Sequence, residues 1–254
     1  MNRNTRSCSI GVLIGITCLM ILISSGVSQA SPIINCPSHT YYLKGVAPDL
    51  DLNTTFPTAT TPTSIDSASL TRSGGNVYKV IGTWDSYTSI GGGCVLSSLS
   101  DLHVWLGLRN SDDQGTQFDL KAEVFAGANP VPLATGEALC IIGVTRNPAK
   151  ALETTVHFGP VTQTVFDGAT ELFLRLSTRI GTGVSCPGHA NATGLRLYYD
   201  AVTRASEFDT SFTQCETFTS RAGEENLLIP CPCDFTSRAG EQNAIVPCTT
   251  SNLY

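Results

Sequence analysis

The chain has 254 residues, of which 41% are hydrophobic and only 14% charged, with a formal net charge of −6. That composition suits an ordered globular chain and excludes an intrinsically disordered one. An acidic excess with no basic cluster also argues against nucleic acid or an anionic membrane surface as partner.

Residues 1–30 read as a cleaved secretory signal. Arg3 and Arg6 give a positive start, residues 10–23 form an apolar run, and Ser28-Gln29-Ala30 supplies small residues for a cleavage site. The run is too short to span a bilayer comfortably. Cys18 lacks the small flanking residues of a lipoprotein signal, and no second apolar stretch of spanning length follows. A secreted, extracellular protein is expected, with the periplasm or cell surface as the other destinations. Cleavage removes two bases and none of the 21 acids, so the mature chain is more acidic still.

Cys8 and Cys18 leave with the signal. Cys36, Cys94, Cys140, Cys186, Cys215, Cys231, Cys233 and Cys248 remain, an even number that in an exported chain reads as disulfides before metal. The expected pairs are Cys36 with Cys94 and Cys140 with Cys186 in the main domain, and Cys215 with Cys231 and Cys233 with Cys248 in the tail.

Along the chain, residues 40–46 look like a first strand. The Thr/Pro-rich stretch 53–64 (NTTFPTATTPTS) then reads as a long exposed loop. Strand-like runs follow at 76–84, 102–108, 117–125, 137–144, 151–158, 171–178 and 194–201, separated by Gly-Gly, Asn-Pro, Asp-Gly and Pro-Gly punctuation. The clearest signal is 102–124. Val104, Leu106 and Leu108 alternate with polar or small neighbours, and Phe118, Leu120, Ala122 and Val124 do so after a polar break at 110–116. The two runs predict antiparallel neighbours joined by a structured polar loop. No window carries a helical period of useful length. The prediction is an all-β domain over 31–210, a two-sheet antiparallel β-sandwich of jelly-roll or immunoglobulin-like type. A Cys-rich tail over 211–254 holds near-identical segments, FTSRAGEENLLIPC and FTSRAGEQNAIVPC, whose first residues are Phe218 and Phe235. Each reads either as a loop clasped by its own disulfide or as flexible chain.

WLGLRNSDDQGTQFDLKAEVF, CIIGVTRNPAKA, CPGHANATGLRLYYDAV and DSASLTRSGGNVYKVIGTW together resemble a set of exported bacterial proteins with no assigned activity. The resemblance covers roughly residues 41–208 and implies a secreted bacterial β-sandwich. It brings no catalytic or binding residues. Cys140 and Cys186 both fall inside matching blocks, which supports their pairing. The duplicated tail lies outside it.

The candidate chemistry is sparse. Asn110, Asp112 and Asp113 begin like an EF-hand loop, but Lys121 stands where a bidentate Glu is required, so the EF-hand fails. A looser structural calcium on Asp112 and Asp113 is one reading, and a turn whose Asx side chains bond their own backbone is the other. Cys186-Pro-Gly-His189 has ligand-like spacing but lacks a second pair, and an oxidised Cys cannot ligate as thiolate. His39, His103, His157 and His189 with many serines permit a hydrolytic triad by arithmetic, yet neither a G-x-S-x-G elbow nor H-E-x-x-H is present. Trp84, Trp105, Tyr87, Tyr198 and Tyr199 offer an aromatic platform for stacking sugar rings, against the plainer role of core packing.

The sequence therefore predicts a non-enzymatic extracellular binding module without cofactor, for carbohydrate or another cell-surface component, using Trp84, Trp105, Tyr198, Asn110, Asp112 and Asp113. Its alternatives are a structural protein self-associating through the tail and a hydrolase with an unrecognised site.

Overall fold

In the computed structural model the described residues are 36–87, 90–182, 186 and 189–214. The expected signal at 1–30 and the repeats with Cys215, Cys231, Cys233 and Cys248 lie outside them. Among the described residues the chain is β throughout apart from short turns. The strands are β1 (His39–Val46), β2 (Asp49–Asn53), β3 (Thr63–Asp66), β4 (Leu70–Thr71), β5 (Lys79–Asp85), β6 (Cys94–Leu99) and β7 (Leu102–Leu108). After them come β8 (Phe118–Ala126), β9 (Ala134–Ile141), β10 (Leu152–Val156), β11 (Leu172–Ile180), β12 (Asn191–Ala192), β13 (Leu195–Tyr199) and β14 (Glu207–Gln214).

Alternation does what period 2 requires. Leu102, Val104, Leu106 and Leu108 of β7 point inward, as do Phe118, Leu120, Ala122 and Val124 of β8 and Leu172, Leu174 and Leu176 of β11. They meet Leu43, Leu52, Trp84, Leu197, Tyr199 and Phe208 in a single core. At roughly 1.5–3 kcal/mol for each large apolar side chain removed from water, this core is the main stabilising contribution.

The two-sheet sandwich is corrected by the hydrogen-bond ladder, which runs on round the molecule. Its order is β7-β14-β1-β2-β5-β11-β8-β9, and β10 pairs with β7 on the far side. A Gly136↔Phe158 bridge and the Gly159 N–H donated to Thr135 O (3.0 Å) join β9 to the end of β10. The main sheet is therefore a closed nine-strand β-barrel. Two of its seams are narrow: Asp51↔Asp85 joins β2 to β5, and Glu207↔His103 joins β14 to β7. Alternation reports an inward face but is blind to whether the sheet carrying it splits in two or closes.

The expected pairing of the two runs in 102–124 is also corrected. β7 lies between β10 on one side and β13 and β14 on the other, while β8 lies between β11 and β9. The loop between them crosses the barrel instead of turning back. A short 3-10 turn at Ser111–Asp113 starts at Asn110, whose side chain accepts from Asp112 N. The buried Asp113 carboxylate then accepts from the Thr193 and Gly194 N–H groups, which ties the loop to the entry of β13.

Both disulfides expected in the main domain are present, Cys36–Cys94 and Cys140–Cys186, with Cα–Cα distances of 5.6 and 5.4 Å. The last strand, β14, runs to Gln214, past the expected domain end at 210. No helix among the described residues is long and apolar enough to cross a membrane.

Candidate functional site

The site follows from an interruption of the ladder. β6 and β7 together pair along β14, from Gln214↔Cys94 to Glu207↔His103, as one long strand bent at Ser100-Asp101. Short polar side chains of this kind compete with the backbone for hydrogen bonds. Here the Ser100 hydroxyl accepts from Asp209 N at 2.7 Å in place of a carbonyl, and donates to Asp101 O at 2.9 Å. The bend opens a cleft of about 270 Å3 lined by Ser100, Asp101, His103, Glu207, Phe208 and Asp209.

The register puts polar groups of four strands on this outer face. His103 stands between Thr155 of β10 and Glu207 of β14, and Tyr42 of β1 follows Glu207. One residue beyond β10, His157 Nδ1 lies 2.8 Å from Asp101 Oδ2. His103 Nδ1 lies 3.5 Å from Glu153 Oε1. Each imidazole thus faces a carboxylate with Nδ1, which favours the tautomer whose Nε2 is a free base and aims that atom away from the partner. Asp209 closes the row, its Oδ1 accepting from Thr40 Oγ1 at 2.5 Å. Ser100 is not an activated nucleophile, because its proton is given to the Asp101 carbonyl and not to a base. Water, polarised by imidazole or carboxylate, is the nucleophile the cleft can present.

The residues singled out in the sequence are dispersed. Trp84 is wholly buried, edge-on to Tyr199 at 5.6 Å, and Tyr198 is 4% exposed. Trp105 does face outward on β7, but the Arg204 guanidinium lies over its ring at 4.4 Å and its Nε1 donates to Ala205 O. The three rings form no open platform for a sugar. Asn110 and Asp112 bond each other on the exposed loop. Asp113 turns away from them to its backbone donors, so the two aspartates do not converge on a cation.

Asp119, Cys140 and Cys186 come together, but as a strap. The sulfurs are joined, and the fully buried Asp119 carboxylate accepts from Cys140 N, Arg179 Nε, Thr182 N and Thr182 Oγ1. Oxidised sulfur and a saturated carboxylate do not make a metal centre. A second, shallower hollow of about 420 Å3 lies against Leu70, Thr71, Asp113, Asn191 and Thr193.

Asp101 and Glu207 were missed in sequence, and His103 and His157 were named only as two of four histidines, because none of these residues belongs to a motif. Their only shared property, an outward position on neighbouring strands, needs the strand order to be known.

No family model and no curated protein matches the chain. Among solved structures it is similar to an aminopeptidase from a marine sediment Thaumarchaeota archaeon, at 8% identity and TM-score 0.49 over 70% of this chain and 37% of that one. A CocE/NonD family hydrolase from Staphylococcus aureus gives 14% identity and TM-score 0.43, over 72% of this chain and 38% of that one. The VP2 protein of infectious bursal disease virus gives 12% and 0.28. The chain spans well under half the length of the first two. The expectation of a non-enzymatic binding module built on Trp84, Trp105 and Tyr198 is corrected here, because those rings are buried or covered.

Proposed function

We propose that the barrel is an exported hydrolase acting by general acid–base catalysis in the cleft at the Ser100-Asp101 bend. The observation that carries the reading is the pair of carboxylate-oriented imidazoles, His157 on Asp101 and His103 on Glu153, at a cleft whose walls also hold Glu207 and Asp209. A base held by a carboxylate keeps one tautomer and one orientation, as proton transfer to or from water requires. The imidazole that takes the proton from water carries it as imidazolium and returns it to the leaving group. Export is supported by the basic start, apolar run and small-residue site of residues 1–30, and by disulfides that persist in oxidising compartments.

The test is a panel of p-nitrophenyl esters, p-nitrophenyl glycosides and aminoacyl p-nitroanilides, offered to the disulfide-intact protein and to His157→Ala and Asp101→Asn variants. Turnover of one class is expected, with kcat lowered roughly 10²–10⁴-fold in His157→Ala. Failure on every class, or a His157→Ala variant as active as the parent, overturns the reading.

A further inference from the structure

We infer that this cleft takes a saccharide, its ring seated against Tyr42 and Phe56; resting on the hydrolase reading, the substrate is then a glycoside. The first ground is charge. The six residues of the wall include Asp101, Glu207 and Asp209 and no Lys, Arg, Asn or Gln. The backbone N–H groups of Ser100 and Asp209 are spent as well, on Asp209 O and on the Ser100 hydroxyl. Acyl transfer builds an oxyanion that needs hydrogen-bond donors aimed at it, and a wall of carboxylates opposes that charge. Cleavage of a glycosidic bond passes instead through an oxocarbenium-like state, positive at the anomeric carbon, which carboxylates stabilise. Ionised carboxylates are also pure acceptors, suited to a ligand whose hydroxyls all can donate.

The second ground is an aromatic corner beside the wall. Tyr42 of β1 is opposed by Glu207 of β14, itself opposed by His103 of β7, and opposed residues on adjacent strands have Cβ atoms about 4.5–5.5 Å apart. Burial first, then the charges of Glu207 and Asp209 and a hydrogen bond to Glu207, raise the Tyr42 hydroxyl above its ordinary value. The phenol therefore adjoins the carboxylates. On its other side Tyr42 is paired with Asn53, the last residue of β2. The Asn53 side chain accepts from Thr55 N at 2.8 Å, which turns the chain out of the strand. Phe56 then comes back edge-on to Tyr42, with ring centroids 5.3 Å apart and planes at 83°.

Phe56 stays 48% exposed, an apolar ring positioned by a turn yet left in water beside a polar cleft. A pyranose has an apolar C–H face and a rim of hydroxyls, so it lays the face on an aromatic ring and turns the rim to the carboxylates. In the hydrolytic step the oxygen of water bonds to the anomeric carbon while the bond from that carbon to the bridging oxygen breaks. One proton of the water passes to imidazole and from there to the bridging oxygen, which leaves as a hydroxyl.

The experiment is calorimetric titration of the disulfide-intact protein with cellotetraose, xylotetraose, maltotetraose and N-acetylchitotetraose, each also assayed for release of reducing ends. Phe56→Ala, Phe56→Trp and the control Leu139→Ala, an exposed apolar residue of β9, are run in parallel. Saturable binding and cleavage of at least one tetrasaccharide are expected. Affinity should fall about tenfold in Phe56→Ala, the size of one aromatic contact, and stay near the parent value in Phe56→Trp and Leu139→Ala. Binding of none of the four, or affinity unchanged in Phe56→Ala, overturns the inference. The two claims separate by outcome. Turnover confined to esters or anilides, with no tetrasaccharide bound, removes the saccharide and leaves the hydrolase. A tetrasaccharide bound at Phe56 with no substrate of any class turned over removes the hydrolase reading and leaves the saccharide site.

Discussion

Asp119 shows how much one side chain organises here. It is fully buried and accepts four hydrogen bonds, one of them from Arg179, which joins the edge of β8 to β9 and to the segment after β11. Removing one partner of a buried ion pair typically costs about 3–5 kcal/mol, and Asp119→Ala is expected to lower stability by about that much, read from the denaturant midpoint. Asp200 gives the opposite sign. Burial pushes its carboxyl above the usual value, with Lys44 pulling the other way. For an acid raised in the folded state, stability is greatest below its ordinary range and declines as pH climbs through the folded value. Asp200→Asn removes the partly buried charge and keeps a residue tolerant of the left-handed φ of 55°. Thermal unfolding of this variant is expected to be at least as high as the parent at neutral pH and less sensitive to acid-range pH; a lower midpoint contradicts this. At this scale the sequence was legible only in part. Asp113 stood out as an acidic loop residue, but its N–H partners lie 80 residues away and in no sequence pattern, so the two local readings, a calcium ligand or an Asx turn, both missed this long-range backbone clamp.

At the scale of elements, inward and outward faces were readable because alternation is local. β7 appears over the expected residues, 102–108, and β8 is displaced by one residue from 117–125. Partnership was not readable, since every neighbour of β7 comes from later in the chain or through a bend. β2, β3, β6 and β14 escaped prediction: β2 and β3 are short, and β6 and β14 mix Ser and Thr into their alternation. The closing seam has its own test. A Cβ on Gly136 would lie 2.5 Å from the His157 carbonyl oxygen, where β9 meets the end of β10. Gly136→Ala must push the strands apart, with an overpacking cost of about 1–3 kcal/mol, and because His157 moves with that seam it should also weaken any activity of the cleft. Wild-type stability in Gly136→Ala contradicts a closed barrel at this point. The Cys36–Cys94 disulfide encloses a sequence separation of 58, for which loop-closure entropy gives about 4 kcal/mol. A Cys36→Ala/Cys94→Ala variant is expected to lose up to that amount in reversible unfolding.

For the whole molecule, the barrel buries tyrosines that a sandwich reading had assigned to an outer platform. Tyr199 lies in the core with its hydroxyl on Gly45 O, and burial first, then the Asp200 charge, pushes it up from 10.0 to about 12. Burial raises Tyr41 as well, and burial with the neighbouring Glu137 raises Tyr78. Groups raised in the folded state contribute stability that is fully present below their ordinary value and lost as pH rises through the folded one. The barrel should therefore lose stability from about pH 10 toward pH 12, with late tyrosinate absorbance coinciding with unfolding; simultaneous titration of all tyrosines near their ordinary value contradicts the burial. The cleft lies on one stretch of the ring, where β10, β7, β14 and β1 are consecutive partners and share an outer face. The most direct measurement on the cleft is the long-range 1H–15N NMR correlation of the His157 ring, recorded with the ring in its neutral form. A proton on Nδ1 and a bare Nε2 is the expected result, since Asp101 Oδ2 lies 2.8 Å from Nδ1. A proton on Nε2 would contradict the carboxylate-oriented base on which the hydrolytic reading stands.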